Sequence, residues 1–352
     1  MALLSSLMLL AATGSTPAQA QELVYDWPED EAVHYRIQSH LYAPRILRFY
    51  SVENLDARVA EFTMGLLIKC KKTGVERKSV YVECDIHRAQ MGGQAADGGE
   101  QQKLTKIFQE YVNVLDDSII QLTLTPTGRI KTVDLEGPEK GTSRETMVHN
   151  DMRMILLRSL SALEIEMPKD GIDPGKEWKQ KGAPLAMQLP TNYGTAGAIR
   201  MKHRVASRDG SLVNIQTTAD GLVTPATASD SSADGTGASS GSTITVDMIA
   251  DGSSTFDTER GLLTRGEMTV QGVLTASSSG VGDGAYLNQF VLTELFDNFD
   301  ELDAAFEAMI AGGNLDYPDE AGEEADDARE AEEAAMEALR KRTAPEGEPE
   351  GE

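Results

Sequence analysis

Thr142 to Leu163 reads TSRETMVHNDMRMILLRSLSAL, and the rest of the chain is organised around it. Thr142 followed by Glu145 is a capping box, in which each side chain satisfies a free backbone donor of the first helical turn. Pro168 and the Lys169-Asp170-Gly171 turn stop the helix soon after Leu163. At about 100° per residue, Val148, Met152, Ile155, Leu156, Ser159, Ala162 and Leu163 share one broad face. Met147, Met154 and Leu157 lie on another side. Only Asn150, Asp151, Arg153 and Arg158 remain as a polar stripe. A helix this apolar requires cover on more than one side.

The neighbouring segments supply strands as that cover. Val33, Tyr35, Ile37, Ser39 and Leu41 alternate with His34, Arg36, Gln38, His40 and Tyr42, the period of a half-buried strand. Phe62, Met64, Leu66, Ile68 and Cys70 share one face of a second strand. Val80, Val82, Cys84 and Ile86 share one face of a third. Residues 89–102, AQMGGQAADGGEQQ, read as a flexible loop. Ile107–Leu115, Ile119–Thr125 and Arg129–Asp134 read as a meander joined by two tight turns. In the second half, Ala198–Ser207 and Ser211–Ala219 read as a hairpin. The strands Thr243–Ala250, Ser253–Asp257, Leu262–Ala276 and Ala285–Leu295 follow. Residues 220–242 read as a second flexible loop, rich in Gly, Ala, Ser and Thr.

The expected fold is therefore mainly β, of the α+β class. A curved antiparallel sheet or half-barrel wraps around the long apolar helix. Two similar halves are suggested by LTPTGRIKTV and FDTERGLLTR, which share a strand, polar turn, Gly, strand pattern.

Residues 1–20 read as a signal peptide. The apolar run Leu3–Thr13 is followed by Ala18-Gln19-Ala20, which places cleavage near Ala20, although no Lys or Arg precedes Arg36. The expected location is the periplasm or the extracellular space. No later apolar run is long enough for a membrane-spanning helix. Residues 21–311 form the β-rich domain, and residues 312–352 an acidic, largely disordered tail.

Net charge is −25. Residues 297–352 carry 20 acidic and 4 basic side chains, so the charge is concentrated at one end. Such a chain repels nucleic acid and anionic membrane surfaces.

Cys70 and Cys84 fall on the two strands of one hairpin. A turn at Thr73–Arg77 sets them four residues apart along the strand, roughly 13 Å, beyond the roughly 7 Å that a disulfide allows between Cα atoms. That register predicts two buried free thiols, and a bridge requires a different one.

Candidate chemistry is sparse. His34 and His40 share a polar strand face about 20 Å apart, too far for one metal, and read as solvated. His87 ends a strand outward. His149 sits four residues after Glu145, spaced for an ion pair. His203 points to the apolar face. No G-x-S-x-G, CxxC or HExxH occurs. No catalytic residue, metal ligand or cofactor is expected, and the protein is not read as an enzyme. Fourteen methionines read first as ordinary core filling, and alternatively as the lining of a greasy cavity between sheet and helix.

The hairpins LTPTGRIKTVD and FDTERGLLTRGEMTV, the helix and the MPKDGIDPGKEW segment resemble those of an uncharacterised family of exported bacterial β-rich proteins. The layout is also similar to the lipoprotein-carrier half-barrels of the periplasm, whose concave sheet holds acyl chains. That resemblance implies a non-catalytic protein with a hydrophobic or lipid-like ligand in a sheet–helix cavity. Met152, Ile155 and Leu156 would be the first contacts. The alternative expectation is an envelope structural or interaction protein with a protein partner and no small ligand.

Overall fold

The computed structural model describes residues 25–306, apart from 30, 52–54, 117, 138–142, 161–164, 169–170, 182–194, 198–199, 226–243, 277–284, 299, 302–303 and 305. The expected signal peptide and acidic tail, and most of the expected 220–242 loop, lie outside the described residues.

The first half contributes β1 (Val33–Tyr50), β2 (Asp56–Glu76), β3 (Ser79–Ala95), helix α1 (Gln101–Asp116), β4 (Ile119–Leu124), β5 (Ile130–Glu136) and helix α2 (Ser143–Ser159). The second contributes β6 (Glu177–Lys181), β7 (Thr195–Gly197), β8 (Arg200–Asp209), β9 (Leu212–Pro225), β10 (Ile244–Asp257), β11 (Leu262–Ala276) and β12 (Ala285–Phe296). All twelve strands belong to one sheet, in the order β5-β4-β3-β2-β1-β12-β11-β10-β9-β8-β6, with β7 beside β9. Each pairing described is antiparallel. The chain starts at the centre of the sheet, works out to β5, crosses by way of α2 to β6 at the other edge, and returns to the centre as β12.

Alternation decides which face is buried. Tyr35, Ile37 and Leu41 on β1 join Phe62, Met64, Leu66 and Ile68 on β2 in one apolar cluster. That cluster also takes in Met201, Val205, Val213, Ile215, Met268 and Val291 from the far strands. One face of the sheet, here the inner face, therefore carries a single core. The opposite, outer face is mostly polar, with Tyr81, Ile119 and Ile249 exposed on it, and it buries apolar groups near its centre. There Leu67 on β2 is fully buried, and Phe306 is buried with the Arg88 guanidinium 5.7 Å from its ring centre.

The mainly β, antiparallel architecture agrees with the sequence reading, whereas the helices differ from it. Residues 107–115 are not a strand, and residues 89–102 are not a loop. They form the end of β3, a short 3-10 turn at Gly98–Glu100 and α1. Leu104, Ile107, Phe108, Tyr111 and Leu115 recur at helical spacing and are all buried. Phe108 and Tyr111 pack edge-on against Phe49 of β1. The Tyr111 hydroxyl donates to Asp151 at 3.1 Å, tying α1 to α2. Burial, and then the neighbouring Asp151 charge, push its ionisation far up.

The expected long helix wrapped by the sheet is replaced by a shorter one. α2 ends at Ser159 and rests on β5, β1 and α1. Its buried face is the expected one, through Val148, Met152, Ile155, Leu156 and Ser159, with Asn150 and Arg153 exposed. Ala162 and Leu163 lie outside the described residues.

The cysteines are bridged. The β2–β3 turn is Arg77-Lys78, and the register slips between Lys72 and Gly74. That slip sets Cys70 directly opposite Cys84, and they form a disulfide. The free-thiol expectation fails because it placed the turn too early.

The segment Tyr25–Trp27 closes one end of the sheet. Its backbone donates to Pro126 O at the β4–β5 turn and to Gly261 O at the β10–β11 turn. These are the two hairpins singled out in the sequence, LTPTGRIKTV and FDTERGLLTR. Met167 N donates to Thr127 O beside them. Gly128 and Gly261 adopt positive φ, 95° and 66°. A Cβ on Gly128 would fall 1.9 Å from the Tyr25 ring, and one on Gly261 would fall 2.6 Å from Asp26. Glycine is required at both turns for conformation and for space.

Two stability effects are expected. Gly128→Ala should lower unfolding free energy by about 1–3 kcal/mol, through the strained φ and the lost Tyr25 seat. Denaturant unfolding of the two proteins checks it. Cys70→Ser/Cys84→Ser should cost about 3 kcal/mol, from the entropy of the released loop. The same melt under reducing conditions should reproduce that loss in the unsubstituted protein and leave the double variant unchanged.

Candidate functional site

The two halves of the inner face differ in side-chain size. On β1–β5 the wall is built from large residues (Tyr35, Phe62, Leu66, Ile120, Leu122) and covered by α1 and α2. On β9–β11 small residues line up across the strands. Thr217 faces Gly252, Ala219 faces Ala250, and Ser254 faces Gly266. Met248 and Met268 lie among them with Val213, Ile215, Phe256 and Val270, and Met201 on β8 adjoins them, all buried.

Polar groups interrupt this lining at two places. At the β1–β12 seam, Gln289 donates to the Ser39 hydroxyl at 3.4 Å, and both are buried. Thr293, four residues on and on the same face, is 0% exposed, and its hydroxyl has no hydrogen-bond partner among the described residues. An unpaired buried hydroxyl costs about 1–3 kcal/mol unless something satisfies it. The Trp27 indole N–H, beside Tyr35, is likewise buried and unpartnered there.

The second place is His203 on β8, 1% exposed. The Gln180 side-chain oxygen accepts from Glu166 N at 2.9 Å and lies 3.0 Å from His203 Nε2. Nε2 must therefore carry the proton. Nδ1 then accepts from the Thr217 hydroxyl at 2.9 Å. Trp178 stacks on the imidazole at 5.1 Å and donates its indole N–H to Glu166 O. Burial holds the His203 pKa down at about 4, so the ring is neutral. It donates to a side-chain amide, not to a backbone carbonyl.

The residues expected to touch a ligand are brought together. Met152, Ile155 and Leu156 sit side by side on the inner face of α2, 0%, 5% and 0% exposed. They belong to the same core cluster as the β9–β11 wall.

The other histidines are dispersed. His40 is half-buried and not solvated as expected: its Nε2 lies 2.7 Å from Glu61, whose carboxyl this contact holds below its ordinary pKa. His34 is half-buried, and its pKa is lowered, first by burial and then by the charges of Lys69 and His87. His87 is exposed, and His149 is buried on α2. Among the described residues, no three His, Cys, Asp or Glu side chains converge to hold a metal ion, and no helix is long and apolar enough to cross a membrane.

No family model matches the chain, and neither does any curated protein. Among solved structures it is similar to DynF from the dynemicin biosynthesis pathway of Micromonospora chersina. The identity is 8%, over 83% of this chain and 92% of that one, and the TM-score is 0.18. A likeness at that level carries no argument.

The His203 pKa fixes a pH dependence. Burial depresses the group from its ordinary value of 6.5 to about 4 in the folded protein. The unfolded chain therefore binds a proton first, and stability falls as pH drops from about 6.5 towards 4. Denaturant midpoints measured across that window should show the loss, and His203→Gln should flatten it. An unchanged slope in the variant would assign the effect to other groups.

Proposed function

We propose that the protein is an exported, non-catalytic binder of a hydrophobic, lipid-like molecule, held between the inner face of the sheet and α2. The observation that carries this reading is the inner wall of β9–β12. It combines small side chains and methionines with one buried hydroxyl, Thr293, that lacks a partner. An acyl chain with a polar head group matches those surroundings. The chain would displace methionine side chains, and the head group would give Thr293, Gln289 and Ser39 their partner. Met152, Ile155 and Leu156 would form the helical wall. A half-barrel curved around that wall is part of the same proposal.

The Cys70–Cys84 bridge supports export, because disulfides persist in oxidising compartments. The apolar run before Ala20 supports the same location. The proposal gives the protein no reaction to catalyse and no nucleic acid to bind.

Native mass spectrometry with solvent extraction, on protein purified from its own exported compartment, should release a reproducible hydrophobe. Added fatty acid or phospholipid should be retained by the wild type. Ile155→Asp should abolish retention while leaving much of the fold. Thr293→Val should weaken it roughly tenfold, one hydrogen bond's worth, without lowering the stability of the apo protein. A bare apo mass with no uptake would refute the reading.

A further inference from the structure

The outer face of β6 and β8 carries a concave groove of about 440 Å³, lined by Lys179, Lys202, Arg204, Gln216, Thr218 and Glu177, among others. Lys179 and Lys202 are direct cross-strand partners, and both are exposed. Like charges directly opposite each other destabilise an antiparallel pair. Glu177 is engaged with Arg204 at 4.0 Å. No acidic side chain among the described residues pairs with either lysine. This cationic site lies in a chain of net charge −25.

The complementary charge lies in the same chain. Residues 316–337 hold eleven acidic side chains and one basic. The described residues end on the same face as this groove. Phe306 is buried against Arg88 on the outer face, the face on which Lys202 stands. From β3 to β8 is seven strand spacings, about 33 Å. Residues 307–319 extend to about 43 Å, so the acidic segment reaches the groove.

We propose that residues 316–337 dock in the β6–β8 groove of their own chain, with their carboxylates neutralising Lys179, Lys202 and Arg204. The contact is an intramolecular electrostatic strap over the outer face. Being exposed, it weakens as ionic strength rises.

Zero-length carbodiimide cross-linking of the full chain at low salt tests it. Peptide mapping should find Lys179 or Lys202 joined to an acidic residue of 316–337. The yield should be independent of dilution and fall at least fivefold in 0.5 M NaCl. Lys179→Gln/Lys202→Gln should lose those links and keep the wild-type circular dichroism. Lys72 and Glu29, 2.8 Å apart, supply a cross-link control in the same sample. If that control link forms and the groove links do not, the proposal is wrong. Links that join isotopically light and heavy copies and vanish on dilution would also overturn it, by making a second molecule the occupant.

Discussion

The pairing of β1 with β12 holds the two halves of the molecule together. Nine residues from His34 to Tyr42 match Phe296 back to Asn288, across some 250 residues of chain. β1 also pairs with β2 on its other side, so it is the central strand on which both halves are laid. Without that ladder, β1–β5 and β8–β12 would each expose a full edge, a liability for aggregation. The register is set by burial. Tyr35, Ile37 and Leu41 must face the core, and a slip of one residue would turn them outward. Such a contact costs loop-closure entropy before it returns any burial, so it favours late closure in folding.

Closure is then reinforced by contacts that cross the same seam. Tyr35 donates its hydroxyl to Leu263 O, and burial pushes its ionisation well up, so the group stays protonated. On the outer side, Arg36 bonds to Glu294, its direct cross-strand neighbour, and Arg265 bonds to the same carboxylate. At one end of the sheet, Tyr25–Trp27 bridges hairpin tips from opposite halves. The two tips are alike in sequence because both must present a carbonyl and a side-chain-free glycine to one strand passing across them. Their likeness therefore has a local cause that requires no duplication of half-domains.

The strands were legible because their alternation is clean. Along Val33–Tyr42, Phe62–Cys70 and Arg200–Val205 the residues read as inward are buried, and only Gln38, Gly65 and Leu67 break the pattern on the outward side. Helix α1 was missed although its signal was present. Leu104, Ile107, Phe108, Tyr111 and Leu115 follow the 3.6-residue period, and Asp97 with Glu100 just before them resembles a capping box. The β-prone Ile, Phe, Tyr and Val outweighed the spacing. The disulfide was missed because the turn was placed too early, and a one-residue bulge, which composition does not announce, completes the register that sets Cys70 opposite Cys84. The position of α2 was beyond the sequence. Apolarity shows that a helix needs cover but not whether a sheet encloses it or a second helix shares the load. Of the candidate site, Met152, Ile155 and Leu156 follow from helical periodicity. Thr293, Gln289 and Ser39 do not, because only the β1–β12 register brings them together.

The polar groups on the inner face bear directly on the proposed binding. A protein gains stability by placing apolar side chains where packing is tight, and Thr→Val at position 293 would remove an unpaired hydroxyl at little steric change. Gln289, Ser39 and His203 each carry a further desolvation cost. The His203 group offsets its own cost internally, because Thr217, Gln180 and the Glu166 backbone satisfy both ring nitrogens. It is a closed network with nothing left to offer a ligand. The β1–β12 group is open, with one 3.4 Å hydrogen bond between Gln289 and Ser39 and an unpaired hydroxyl beside it. The first arrangement is what a structural polar core requires. The second leaves a hydroxyl without a partner among the described residues, and the proposed head group would supply one.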